Sequence, residues 1–198
     1  MREYTITRKN GDLNWANVPA LDIDNLLWTE KSDIIAKAQL CYDDKAIYVH
    51  LTAVEKDIRA EHTSPIGMPC EDSCLEFFFS PYNGDERYFN IEFNPNCCMY
   101  LGMGTSVENL VRLIPEAEPF HPSANRTEDG WEVFYSIPLV FITHFFPEFA
   151  LESGRSIRAN CFKCGDLTVN PHFFSWNPVT SETPAFHRPC DFGIMHFE

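Results

Sequence analysis

The sequence predicts an all-β fold: an antiparallel β-sandwich with one or two short helices. Several segments alternate apolar and polar side chains with a period of two, as strands with one buried face do. Turn signals recur about every eight to twelve residues, while long helical periodicity is scarce. Phenylalanine is abundant, with 17 residues among 198, and aromatic side chains favour strands. This length predicts a single domain over residues 1–198.

Alternation places the strands in order along the chain. The first predicted hairpin joins residues 36–42 to residues 47–53 through the turn Asp43-Asp44-Lys45. Three later segments alternate in the same way and are predicted strands: residues 131–137, 157–162 and 192–197.

Two segments between the strands are predicted to be short helices. They run from Val107 to Ile114 and from Leu139 to Phe146, the second directly after a proline, which favours a helix start. Irregular connections are expected over residues 55–70, 115–125 and 171–189. Long loops of this kind often carry the function of a sandwich.

A further hairpin indicates a binding surface. It joins residues 72–80 to residues 88–94 through a loop with an Asn-Gly turn signal. Alternation gives it one apolar face, formed by Leu75, Phe77, Phe79, Phe89, Ile91 and Phe93. The opposite face then carries Glu76, Tyr88, Asn90 and Glu92, with Arg158 joining them if its strand lies in the same sheet. Acids, an amide and a phenol on one face suit a polar, hydroxyl-rich ligand.

Charge limits the classes of partner. The formal net charge of −14 argues against nucleic acid and against anionic membranes, because both require positive surface. No apolar run approaches the length that spans a bilayer, and the N-terminus lacks the apolar core of a signal peptide. We therefore expect a cytoplasmic protein if Met1 is the native start, and an extracellular one if a signal peptide was removed.

The eight cysteines are expected to be reduced, because no export signal is seen. Cys161 and Cys164 have the spacing of a zinc half-site, but they lie in a predicted strand, where residues three apart point to opposite faces. Joint ligation by these two is therefore disfavoured, and we interpret the thiols as buried and inert.

Eight short motifs in order resemble the family-9 carbohydrate-binding modules and the bacterial proteins related to them. The matching segments cover most of the chain: Asn14-Trp15 with Val18-Pro19, Leu26-Leu27-Trp28, residues 42–49, residues 71–78, residues 88–94, Gly130-Trp131-Glu132-Val133 with Ile137-Pro138, residues 174–178, and residues 186–189 with Phe192-Gly193. The resemblance implies a β-sandwich that binds mono- or oligosaccharides without cleaving them, often with bound calcium.

The resemblance also implies site residues. Glu76 matches the acid that binds sugar hydroxyls, while Trp176 and Asn177 match one stacking ring and its amide. Cys70 stands where the family has its other tryptophan, six residues before the acid. Its small side chain implies weaker binding, a different ligand, or a site built from other aromatic side chains, such as Tyr82, Tyr88 or Phe186. The remaining tryptophans, at positions 15, 28 and 131, are expected in the core.

Other functions remain open at this point. Glu76 and Glu92 on opposed strands would approach the carboxyl separation of a glycoside hydrolase. A haem- or metal-binding sandwich could draw on Met99, Met103 and His121, although no spacing marks an axial pair. Acids in or beside turns could hold a structural calcium, although their spacing singles out no ligands: Asp22, Asp24, Asp43, Asp44, Asp57 and Asp72.

Overall fold

Strands make up most of the regular structure in the computed structural model, which describes residues 1–198. In chain order they are β1 (Glu3–Arg8), β2 (Leu21–Ile23), β3 (Asn25–Leu27), β4 (Ile35–Tyr42), β5 (Ala46–Val54), β6 (Cys74–Ser80), β7 (Tyr88–Phe93), β8 (Met99–Gly104), β9 (Val111–Arg112), β10 (Ser123–Arg126), β11 (Gly130–Pro138), β12 (Ser156–Gly165), β13 (His172–Ser175) and β14 (Gly193–Phe197). One α-helix, α1 (Leu139–Phe145), lies between β11 and β12. Single 3-10 turns occur at Trp15–Asn17, Pro69–Glu71, Val107–Asn109 and Pro189–Asp191.

The strands form two sheets that share β1. One sheet has the order β14-β12-β6-β7-β8-β9, with β13 pairing β12 and β3; the other has the order β10-β11-β5-β4, with β2 beside β4. Strand β1 pairs β14 through residues 3–6 and β4 through residues 7–8, both in parallel. All other pairs are antiparallel. The predicted β-sandwich is therefore confirmed. Its only parallel strand pairs are the two that β1 forms.

A single apolar core of 35 buried residues fills the space between the sheets. Its aromatic side chains meet across the sandwich, as where the rings of Phe93 and Tyr135 lie 4.8 Å apart. The predicted apolar face of the β6–β7 hairpin belongs to this core: Leu75, Phe77, Phe79, Phe89, Ile91 and Phe93 are all fully buried. Burying one such phenylalanine stabilises the fold by about 1.5–3 kcal/mol relative to leaving it exposed.

The opposite face of β6 and β7 is covered by loops. Four buried aromatic side chains form a smaller cluster there: Phe78, Tyr88, Phe162 and Phe192. Phe186, from the connection between β13 and β14, packs on this cluster, with its ring 4.2 Å from that of Phe162. The polar residues of this sheet face therefore lie beneath a second layer of chain.

Three predicted segments differ from the structure. The segment from Val107 to Ile114 is not a helix but a 3-10 turn followed by β9, which pairs with β8 and so satisfies its backbone in a sheet. Strands β10 and β13 lie partly or wholly in connections expected to be irregular. The helix after Pro138 is confirmed as α1. No helix has the length and apolar character to cross a bilayer.

Candidate functional site

The covered face of β6 and β7 forms the base of a cavity of about 290 Å³, which we call the carboxylate pocket. Strand register places Glu76 directly opposite Glu92, and Asn90 opposite Phe78. All three polar residues line the cavity. Strand alternation therefore correctly predicts that these three residues share one face, because the opposite face of each strand lies in the core.

Loops from distant parts of the chain provide the walls. Trp28 follows β3, Cys70 precedes β6, and Phe173 belongs to β13. Phe186 and His187 come from the connection between β13 and β14. Aromatic rings thus surround the polar base, an arrangement typical of pockets for small molecules with both apolar and polar surface.

The base of the pocket holds polar atoms that have no partner in the protein. Asn90 is fully buried, yet neither its amide nitrogen nor its amide oxygen has a hydrogen-bond partner, and the same is true of Oε2 of Glu92. Buried polar groups are almost always hydrogen-bonded, and each unpaired one costs about 1–3 kcal/mol. Three such atoms at the base of the pocket indicate that these groups are kept free for a ligand.

Burial also changes the charge of the two acids. Burial, reinforced by repulsion between the carboxylates, holds the pKa of Glu76 well above its usual range. Burial raises the pKa of Glu92 to about 7, and the neighbouring Asn90 side chain opposes this shift in part. At neutral pH the pair therefore retains at least one proton, so the pocket offers both a carboxyl donor and carboxyl acceptors.

Glu76 is not free in the way that Glu92 is. The Cys164 thiol donates a hydrogen bond to Oε1 of Glu76 over 3.0 Å, and Cys74 lies opposite Cys164 in the strand register. Cys161 faces the apolar core instead. The prediction that Cys161 and Cys164 point to opposite faces is thereby confirmed.

Trp28 is a pocket residue that the sequence interpretation placed in the core. Its backbone has a φ of 53°, and its indole N–H donates to the carbonyl of Ser181 over 2.9 Å. Its ring lies 5.6 Å from Phe173 and 5.6 Å from Phe186. A signal was available, because the polar run over residues 29–33 marks the end of a strand, where a side chain can lie outside the core.

Trp176 does not form the predicted stacking platform. It is 3% exposed and belongs to the main core, where a Cβ on Gly193 would come within 2.6 Å of its ring. Asn177 is also buried away from the pocket: it accepts the Arg2 N–H over 2.7 Å and donates to the Asp191 carbonyl over 2.7 Å. The prediction of an exposed ring at Trp176 is wrong, because its segment continues from β13 into the core.

Tyr88 and Arg158 serve to position the chain around the pocket. The buried Tyr88 hydroxyl meets Nδ1 of His187 at 2.8 Å and so fixes the loop that covers the base. The Arg158 guanidinium donates to the carbonyls of Phe192 and Gly193 rather than pairing with Glu76. Neither side chain lines the pocket, so the structure does not bring them to the ligand position expected for them.

Position 70 does lie at the pocket, as the resemblance implies, but Cys70 offers no ring there. Burial raises the pKa of its thiol, and the nearby Glu92 carboxyl adds to the effect. Aromatic surface comes from Trp28, Phe173 and Phe186 instead. Of the aromatic side chains suggested in its place, Phe186 lines this pocket, while Tyr82 packs against the main core.

The acids suggested for calcium do not form an oxygen cage. Those for which the structure gives partners bind protein cations or N–H groups: Asp22 with Lys37, Asp24 with Arg2, Asp44 with Arg8, Asp43 with the turn amides of Lys45 and Ala46, and Asp72 with the amides of Glu61 and His62. Calcium needs six to eight oxygen ligands around one point, and these residues are dispersed. They do not fit the ion.

The residues suggested for haem are also unsuited. His121 is exposed, whereas Met99 and Met103 pack against the main core. They face no common cavity. The one group of side chains with metal-ligand spacing is Cys74, Glu76 and Cys164, beside the carboxylate pocket.

A larger cleft of about 510 Å³ lies elsewhere, beside Glu55 and His172. Its buried groups are already paired: the Lys163 ammonium lies 2.8 Å from the Glu55 carboxylate and 2.6 Å from Nε2 of His172. The Ser73 hydroxyl and the Trp131 indole N–H also donate to Glu55. Because these groups satisfy one another, the smaller carboxylate pocket is the better candidate site.

A β-sandwich with a polar, aromatic-walled pocket on a covered sheet face defines a ligand-binding module. The family model described as carbohydrate-binding family 9 matches residues 9–197. The chain therefore belongs to carbohydrate-binding family 9, and noncatalytic carbohydrate binding, as predicted, is its function. The glycoside hydrolase alternative is set aside on this ground.

Solved structures show the same fold. A proposed carbohydrate-binding protein from Bacteroides uniformis ATCC 8492 superposes with a TM-score of 0.84 at 24% identity, covering 100% of this chain and 99% of the other. A family-9 module from Caldicellulosiruptor kristjanssonii, in complex with cellotriose, gives 0.70 at 14% identity with coverage of 100% and 94%. The glucose complex of such a module from that organism gives 0.69 at 14% with 100% and 96%. Among curated proteins, none shows significant sequence similarity.

Proposed function

We propose that the carboxylate pocket is the carbohydrate-binding site and that it takes one ring of a glucose-containing saccharide. The observation that supports this most strongly is the set of unpartnered atoms on Asn90 and Glu92. A volume of about 290 Å³ lies at the lower end of the range for small-molecule sites, roughly 300–1,000 Å³, which favours one ring over a chain. The modules from Caldicellulosiruptor kristjanssonii were solved with glucose and with cellotriose, which supports the choice of sugar.

The polar contacts divide between the two strand residues. The Asn90 amide donates to one hydroxyl oxygen and accepts from a neighbouring hydroxyl, as a side chain with both functions can. Glu92 directs its unpaired oxygen to a further hydroxyl. Glu76 is less available to a sugar hydroxyl than Glu92, because its Oε1 already accepts from the Cys164 thiol.

Apolar contacts come from the walls. A pyranose ring has faces of C–H groups that pack on aromatic side chains. Trp28 and Phe173 present such surface beside the polar base, and Phe186 closes it from above. Binding thus combines the satisfaction of buried polar atoms with removal of aromatic surface from water.

Isothermal titration with glucose, cellobiose and cellotriose tests the proposal. Asn90→Leu removes both the donor and the acceptor of the amide. We therefore expect the affinity to fall at least tenfold, which corresponds to a loss of about 1.4 kcal/mol or more of binding free energy. Thermal unfolding should not drop, because leucine replaces an unpaired buried amide. The matched control is Asn170→Ala, an exposed amide at the larger cleft, which should bind as the wild type does.

Two outcomes would overturn the assignment. One is binding that is unchanged in a folded Asn90→Leu variant, which would place the sugar elsewhere on the sandwich. The other is binding that is lost in Asn170→Ala while Asn90→Leu retains it, which would assign the site to the larger cleft. A galactose and mannose series in the same experiment identifies the hydroxyl that Asn90 contacts.

A further inference from the structure

Two thiols and a carboxyl group meet at one wall of the carboxylate pocket. Cys74 and Cys164 are direct partners in the register between β6 and β12, and Glu76 follows Cys74 by two residues on the same face. Their ligand atoms, two Sγ and one carboxylate oxygen, all lie within 4.8 Å of one another. The sheet favours this convergence, because its register places all three residues on one face of two paired strands.

All three side chains are buried, with exposures of 0% for Cys74 and 2% for both Glu76 and Cys164. The hydrogen bond from the Cys164 thiol to Glu76 shows that the groups already interact in the absence of any ion.

The carboxylate pocket borders this group of three side chains and leaves one side of it open. Glu76 and Cys164 line it, and so does the fully buried Asn90, whose amide atoms are unpartnered. A metal held by the three side chains would keep a coordination position toward this space. Three protein ligands with one open position is the arrangement of open zinc sites, as opposed to the closed four-ligand structural sites.

We propose that Cys74, Glu76 and Cys164 form a binding site for a thiophilic divalent metal ion of the zinc class, with its free coordination position directed into the carboxylate pocket. Two thiolates select zinc over calcium or magnesium, which prefer oxygen. On binding, each thiol releases a proton to the buffer, and Glu76 releases one whenever its carboxyl is protonated. The fourth ligand is water or a hydroxyl group of a molecule in the pocket.

Titration with Co²⁺ in the presence of a nonthiol reductant tests the site without any sugar. We expect one equivalent of Co²⁺ to give a sulfur-to-cobalt charge-transfer band, and Zn²⁺ to displace it. Cys74→Ala and Cys164→Ala should each weaken Co²⁺ binding at least ~100-fold, beyond the effect expected for losing an outer-shell partner. The matched control is Cys41→Ala, which removes a buried thiol in the other sheet and should leave the band unchanged.

Glu76→Gln keeps both thiols and tests the same site if a cysteine-to-alanine variant does not fold. It should retain a charge-transfer band, with weaker binding, because only the oxygen ligand is impaired. The proposal is overturned if the folded wild type gives no band at millimolar Co²⁺, or if the band survives in both cysteine variants. Since the readout contains no saccharide, either result leaves the carbohydrate-binding assignment to its own experiment.

Discussion

Acid should destabilise the wild-type protein more than the His187→Gln variant. His187 lies in the loop over the pocket, where burial lowers its pKa to about 4, while the Glu108 carboxylate opposes the shift. The rings of Phe78 and Tyr88 pack beside it, and the Tyr88 hydroxyl meets its Nδ1 at 2.8 Å. A proton on that nitrogen would have to enter an apolar environment.

The size of this destabilisation follows from the difference between the pKa of His187 in the folded state and in the unfolded state. The folded pKa of about 4 lies below the usual value of 6.5, so the unfolded chain takes up the proton first as the pH falls. The stabilisation is present above about pH 6.5 and is lost as the pH falls toward 4. Between pH 7.0 and pH 4.5 this linkage removes about 2 kcal/mol from the free energy of unfolding.

Urea unfolding followed by tryptophan fluorescence at pH 7.0 and pH 4.5 measures the effect. Other groups titrate in the same window, so the informative quantity is the loss in the wild type minus the loss in His187→Gln. We expect about 2 kcal/mol for that difference. His144→Gln, at an exposed histidine of α1, should lose as much as the wild type. Equal losses in the wild type and His187→Gln would refute the argument that the folded protein holds His187 in its neutral form.

Three further substitutions test the fold, each by urea unfolding at pH 7. Phe77→Ala, in the core, should cost about 3–5 kcal/mol; a loss below 1 would mean that the core collapses around the gap. Gly130→Ala places a Cβ 1.9 Å from the Ala53 carbonyl oxygen and should cost about 3 kcal/mol by forcing β5 and β11 apart; wild-type stability would contradict this register. Lys163→Met removes the only cation paired with the buried Glu55 carboxylate and should cost about 3–5 kcal/mol, with partial recovery on adding Glu55→Gln; no recovery would argue against the ion pair.

Strand alternation predicts a large part of this molecule because one face of each hairpin is fixed by the core. Once Phe77 and Ile91 point inward, Glu76 and Asn90 must point to the other side. The direct pairing of Glu76 with Glu92 also follows from that parity together with the loop length. The polar base of the pocket was therefore predictable from residues 72–94 alone.

The walls were not predictable in the same way, because they come from loops whose packing has no period. Trp28 and Trp176 each come directly after the last residue of a strand, yet one lines the pocket and the other enters the core. The segment from Val107 to Ile114 has helical spacing, but pairing with β8 makes it a turn and a strand. The loop cover also buries the acids, which strand alternation alone does not reveal.

Stability and binding are connected in this protein through the two faces of the same strands. Substitutions such as Phe77→Ala remove core packing and also loosen the backbone that holds Glu76, so they should reduce both properties. Asn90 faces the pocket, where its unpaired amide already costs free energy in the unliganded protein. Its replacement by leucine should reduce binding alone. The face of the sheet on which a residue of β6 or β7 lies therefore determines which property a substitution changes, and the sheet register sets that face.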